Sequence, residues 1–193
     1  TFGLPRNPDI PVIGMVSRLT AQKGFDILEG ALDRLLSQNL QVVLLGTGER
    51  KYQEPFLKAA ARYPEKLAVK IDFNDALAHK VIAGSDIFLM PSRYEPCGLT
   101  QMYSLKYGTI PLVRACGGLK DTVEQFDPRT EKGNGFVFSS YEAADLLAAV
   151  DRGLAVFSQK QNWQALMKNA IASDFSWTKS ARAYLELYRK LAG

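Results

Sequence analysis

Six short apolar runs, at residues 11–16, 41–45, 67–71, 87–90, 109–113 and 135–138, constrain this chain more than any other feature. Ile87-Phe88-Leu89-Met90 and Gln41-Val42-Val43-Leu44-Leu45 are apolar almost throughout rather than alternating, the pattern of strands covered on both faces. Most of the runs end in a loop rich in Gly, Ser, Thr or Asp. Between them lie stretches with helical periodicity: Phe25, Leu28, Leu32 and Leu35 on one face, residues 52–63, residues 76–83, and a segment opening at Gly98 with Leu99, Met102, Tyr103, Leu105 and Tyr107. Strand and helix alternating at this spacing demand right-handed crossovers and a parallel sheet with helices on both faces.

The fold class expected is therefore α/β, a Rossmann-like parallel six-stranded sheet. From Tyr141 onward the pattern is helical only: Leu146, Val150, Leu154 and Phe157, then Trp163, Leu166 and Ala170, then Ala181, Tyr184, Leu185, Tyr188 and Leu191. Asp174-Phe175-Ser176-Trp177 interrupts it and supplies an N-cap for the last helix. One domain over residues 1–193 is expected, with an α/β core over 10–140 and a helical tail over 141–193. Residues 1–9, broken by Gly3, Pro5 and Pro8, read as a lead-in, and the start at Thr1 reads as a cut inside a longer chain.

In an open parallel sheet, ligands bind beyond the carboxyl ends of the strands. Two loops there carry chemistry. Arg18 and Lys23 lie on the loop leaving the first strand, Lys23 just ahead of a helix; a guanidinium fork with a compact ammonium suits a diphosphate, and two solvated surface cations are the plainer alternative. Glu95 follows the fourth strand, held extended by Pro96, and just after it the amides of Gly98, Leu99 and Thr100 stand at a helix start suited to an anion. A carboxylate beside an anion cradle fits a sugar phosphate; a surface loop acid is the other reading of Glu95. Phe73, on a polar loop after the third strand, either caps the core or stacks on a purine.

Other classes fare worse. Gly46-Thr47-Gly48 follows the second strand rather than the first, and Lys51 stands where a dinucleotide fingerprint wants its third glycine. There is no Walker A loop, no Cys/His metal spacing and no Asp-x-Asp. His79, the one histidine, reads as a structural or rim residue, and Cys97 and Cys116 have no partnering base. A formal net charge of +4 is mild and does not point to nucleic acid. No stretch approaches the ~18 consecutive apolar residues that would cross a membrane, and two cysteines are too few for a disulfide framework.

Three long stretches, in order, resemble the bacterial glycogen synthases and plant starch synthases: residues 17–24 (SRLTAQKG), 93–101 (RYEPCGLTQ) and 117–122 (GGLKDT), with 174–177 (DFSW) matching as well. The resemblance covers essentially the whole chain. It implies the C-terminal, nucleotide-binding half of a two-domain GT-B enzyme that transfers glucose from ADP-glucose to an α-1,4-glucan with retention. Arg18 and Lys23 would hold the diphosphate, Glu95 the hydroxyls of the transferred glucose, and the amides of Gly98, Leu99 and Thr100 the distal phosphate. Phe73 stands where the family stacks an aromatic, often Tyr, on adenine. Ser17, Asn74 and Cys97 fall within or beside the same loops and join the substrate-binding set. Tyr103 occupies the place of a second Glu found in related sugar-nucleotide transferases.

The resemblance further implies no cofactor and no metal, and acceptor contacts made mainly by an N-terminal domain, on which the helical tail would pack. It implies a cytoplasmic protein in a bacterium or a plastid protein in a plant, with neither nucleic acid nor membrane as partner. A UDP-sugar-using sibling, and a nucleotide-sugar binding module inactive by itself, remain open beside it.

Overall fold

The structure, a computed structural model, describes residues 2–192; Thr1 and Gly193, the first residue of the expected lead-in and the last of the tail, lie outside the described residues. Six strands form one sheet: β1 (Val12–Val16), β2 (Gln41–Gly46), β3 (Leu67–Ile71), β4 (Ile87–Met90), β5 (Ile110–Arg114) and β6 (Phe136–Phe138). All pairings are parallel, in the order β3-β2-β1-β4-β5-β6. This is the doubly wound arrangement expected, and its order reverses between β1 and β4, where the loops leaving the two strands splay apart and open a crevice.

Alternate residues along each strand serve opposite faces. Ile13, Met15, Val42, Leu44, Ile87, Leu89, Ile110 and Leu112 join the larger core with α1 (Phe25–Ser37), α2 (Arg50–Arg62), α6 (Ala143–Phe157) and α7 (Lys160–Ala172). Val43, Leu45, Phe88, Met90 and Val113 face the other way, onto Val81 and Ile82 of α3 (Asp75–Ala83) and Leu119 of α5 (Gly118–Thr122). The runs are apolar throughout because both faces are covered.

Three details differ from the sequence reading. The helix after Glu95, α4 (Thr100–Tyr107), begins two residues later than Gly98, whose φ of 68° takes it out of the helical region. A 3-10 turn (Ala21–Lys23) sits inside the stretch read as the β1 loop, and α5 lies where no helix is read; both are too short to show a period. The tail divides: α6 and α7 contribute Leu146, Val150, Trp163, Leu166 and Ala170 to the main core, and α8 (Trp177–Leu191), capped by Ser176, buries no residue. No helix among the described residues is long and apolar enough to cross a membrane.

Candidate functional site

The loops leaving β1 and β4 are locked together by backbone. Gly24 has φ 81° and lies so close to Pro91 that a Cβ there would stand 2.0 Å from the Pro91 carbonyl oxygen. Only glycine permits both, and the contact brings the 3-10 turn carrying Lys23 against the end of β4. The Arg93 N–H donates to the Gln22 carbonyl at 2.9 Å, and Gln22 Nε2 donates to the Tyr94 carbonyl at 3.3 Å. Behind them Arg114, at the end of β5, donates to the carbonyls of Ser92 (2.9 Å) and Arg93 (2.5 Å).

Within this frame Lys23 and Glu95 form an ion pair, joining two residues 72 apart in sequence. Glu95 is 7% exposed, so it is not a surface loop acid. Its Oε2 accepts from Lys23 Nζ and, at 3.3 Å, from the Ser92 hydroxyl, and its backbone carbonyl accepts from Gly118 N–H at 3.1 Å. Oε1 accepts nothing among the described residues. Lys23 has three N–H donors, so the pair leaves two of them and one carboxylate oxygen for a ligand. Arg18 is exposed and makes no ion pair among the described residues.

The crevice has two lobes. One, ≈ 230 Å³, is lined by Ser17, Arg18, Lys23, Met90, Ser92 and Thr100. The other, ≈ 240 Å³, runs from Ser17, Arg18 and Thr100 past Gly46 and Thr47 to Asp72, Phe73 and Asn74. Phe73 is 89% exposed, so it does not cap the core; its face is available to a planar group. Six of the ten residues singled out in the sequence line one or both lobes, Arg18, Lys23, Ser17, Phe73, Asn74 and Thr100, whereas Glu95, Cys97, Gly98 and Leu99 line neither.

Not all of the ten act through side chains that face the crevice. Asn74 lines the second lobe, but its Oδ1 caps α3 by accepting from Leu77 N–H at 2.9 Å. The Leu99 side chain faces away, into a separate hollow with Met102, Tyr103 and Trp177, so only its backbone amide is left to serve the anion cradle read from the sequence. Cys97 is exposed, and its carbonyl, not its sulfur, is engaged, accepting from Gln101 at 3.1 Å. The N–H groups of Gly98, Leu99 and Thr100 donate to nothing among the described residues, as expected at the start of a helix. Gly46 serves packing rather than phosphate: a Cβ there would lie 1.8 Å from the Ser17 carbonyl oxygen. His79 lines neither lobe; its Nδ1 lies 3.1 Å from the Tyr107 hydroxyl and its ring packs beside Tyr103.

The sequence reading passed over the residues that brace the site. Ser92 touches Glu95 directly, and Arg114 grips the backbone of the β4 loop; neither is given a role by the sequence. Tyr141 is further off in sequence. Its ring lies 4.5 Å from the Arg93 guanidinium and its hydroxyl donates to Asp26, which also pairs with Arg93 at 2.9 Å. Burial acts to raise Asp26, yet the Tyr141 hydrogen bond, backbone N–H groups and the Arg93 charge outweigh it and hold its carboxyl below the ordinary value. Burial, then the Asp26 bond, pushes the Tyr141 phenol up. The network ties α1, the β4 loop and the start of the tail together. No group of three or more His, Cys, Asp and Glu side chains placed to hold a metal occurs among the described residues.

Comparison with known proteins agrees with this fold. The chain is 54% identical over 181 residues to a glycogen synthase of Kosmotoga olearia, covering 94% of this chain and 38% of the relative. It is 53% identical over 190 residues to a glycogen synthase of an Anaeromyxobacter species, covering 98% of this chain and 40% of the relative. The catalytic domain of starch synthase IV from Arabidopsis thaliana, solved with ADP and acarbose, superposes with a TM-score of 0.87 at 33% identity, covering 98% of this chain and 40% of that one. The chain thus spans about two fifths of the length of these proteins. The family model for glycosyl transferases group 1 matches residues 2–169, and the chain belongs to that family.

Proposed function

We propose that this chain is the nucleotide-sugar-binding half of a retaining glucosyltransferase that moves glucose from ADP-glucose to the 4-hydroxyl of an α-1,4-glucan end, as in glycogen and starch synthesis. The observation that carries this is the Lys23–Glu95 pair at the β1/β4 switch point, with spare donors on one partner and a spare acceptor on the other. A ligand answering it bears phosphate and hydroxyls side by side. The relatives named glycogen synthase, and the starch synthase solved with ADP, support the choice of sugar nucleotide.

Breaking the glucose–phosphate bond builds positive charge on the sugar ring and negative charge on the departing diphosphate. Lys23, held by Glu95, and the free amides of Gly98, Leu99 and Thr100 are fixed donors aimed where the negative charge grows, so little reorganisation is needed as it appears, and the exposed Arg18 adds a second cation. In this reading those cations and amides neutralise the diphosphate without a metal. Glu95 accepts sugar hydroxyls at Oε1 and its charge favours the cationic ring, while Ser92 and Lys23 keep the carboxylate from turning. Phe73 stacks on the base, and Ser17 and Asn74 border the nucleoside lobe. The glucan hydroxyl then attacks on the vacated face. Acceptor contacts and closure belong to the part of the protein outside this chain, onto which α8 docks, and a cytoplasmic setting goes with the bacterial relatives.

Calorimetric titration of the intact protein with ADP and with UDP, in the presence of a chelator and beside Lys23→Ala, tests the reading. ADP is expected to bind without a divalent ion and more tightly than UDP. Lys23→Ala is expected to weaken ADP by at least about tenfold, the scale of one charge-assisted contact. Absence of ADP binding, a requirement for added metal, or indifference to Lys23→Ala would overturn it.

A further inference from the structure

We infer that Gln101 is a positioning residue for the anion site: its side-chain amide sets the direction of the Gly98 and Leu99 N–H groups. The inference rests on the nucleotide reading of the crevice and goes beyond it, since Gln101 lies outside the crevice and touches no ligand position.

Gln101, the second residue of α4, is 0% exposed. Its Nε2 lies 3.1 Å from the Cys97 carbonyl oxygen, 2.9 Å from that of Gly98 and 3.2 Å from Thr122 Oγ1. Two carbonyls among these three neighbours settle which end of the carboxamide is nitrogen, because a flip would set oxygen against oxygen. Thr122 in turn donates to the Gly118 carbonyl at 2.6 Å, so the amide also ties the Cys97–Gly98 loop to α5.

In a trans peptide the C=O and the following N–H point in opposite directions. The Cys97 carbonyl shares its peptide plane with Gly98 N–H, and the Gly98 carbonyl shares its plane with Leu99 N–H. By drawing both carbonyls inward, Gln101 turns both N–H groups outward. Those two donors have no partner among the described residues, and they are two of the three amides in the anion cradle. Gly98 completes the device: its φ of 68° sets the turn between the two planes, and a Cβ there would meet Gln101 Oε1 at 2.4 Å.

The arrangement has a cost that points to purpose. Gln101 Oε1 is buried and makes no hydrogen bond among the described residues. Such groups are uncommon in folded proteins and call for a reason. An apolar residue of the same size would pack in this space without stranding an oxygen. What it would lack is the donor that holds two carbonyls at once.

The distal phosphate of ADP is the part of the ligand that these amides would meet, and AMP lacks it. Calorimetry of the intact wild-type protein and of Gln101→Met with ADP and with AMP therefore isolates the effect, thermal unfolding serving to check that the variant is folded. Gln101→Met is expected to weaken ADP by about tenfold while leaving AMP within about twofold, so that the preference for ADP collapses. Where Gln101→Met does not fold, Thr122→Val removes one partner of the carboxamide and is expected to lower the preference in the same direction by about threefold. A folded variant that keeps the wild-type preference, or that loses ADP and AMP equally, would overturn the positioning role. A wild-type protein that binds the two nucleotides equally would instead overturn the nucleotide reading of the site.

Discussion

Lys23 and Glu95 show how much of the site's energetics rests on one contact. Both side chains are largely withdrawn from water, 19% and 9% exposed, and each is the other's principal compensation. Removing one partner of such a pair strands a charge in a poorly hydrated place, which costs far more than the pair contributes. Lys23→Met is therefore expected to destabilise the chain by about 3–5 kcal/mol in urea unfolding. Glu95→Gln should cost less, because the amide oxygen still accepts from Ser92 and Lys23 retains access to solvent. The double variant should lie well short of the sum, a coupling of the kind contacting residues display. Additive effects would show that the pair forms no energetic unit, and with it would go the picture of a carboxylate held ready for sugar hydroxyls by its neighbouring cation.

At the scale of elements, the opposite edge of the sheet carries the complementary case. Asp86, just before β4, accepts from the Val12 N–H through its side chain at 2.8 Å, while its backbone N–H donates to Val12 and its carbonyl accepts from Ile110. It thus joins the starts of β1, β4 and β5. Burial raises its carboxyl above the ordinary 3.8, a cost that the Val12 bond offsets only in part. A raised folded-state value means the native chain holds the proton more tightly than the unfolded one. The stability this brings is full below 3.8 and is lost as pH rises through the raised value. Asp86→Asn keeps an oxygen for Val12 and has nothing to ionise. In urea unfolding at pH 3.5 and pH 7, the variant should gain on wild type between the two; a loss at pH 7 would mean the ionic hydrogen bond outweighs burial. The same elements show what was legible beforehand. Strands such as Ile87–Met90 announced themselves because a parallel sheet buries both faces, and the loops at their carboxyl ends because that is where such sheets bind ligands. Glu95 was located but not its burial, since burial arises from Gly118 and Ser92 closing around it. Gln101, Arg114 and Tyr141 stayed silent for the same reason: they act through carbonyl oxygens and rings that only the assembled loops bring within reach.

For the whole molecule, α8 is the element the rest does not account for. Trp177, Ala181, Tyr184, Leu185, Tyr188 and Leu191 recur at helical spacing along one face, yet no residue of the helix is buried and Trp177 is 89% exposed. A 15-residue helix has little stability of its own in water, and most helical stability comes from packing an apolar face. Aromatic and leucine side chains aligned on an exposed face mark an interaction surface. The relatives are more than twice as long as this chain, which fits the proposal that α8 rests on a further domain. Hydrogen exchange compares the two situations directly. In the intact protein the backbone amides of α8 should exchange at least about tenfold more slowly than in the 193-residue chain alone, while those of α6 and α7, already in the main core, should change little. Protection of α8 that is equally weak in both would mean that nothing in the protein covers it. Protection that appears in the isolated chain only as concentration rises would mean that a second copy does.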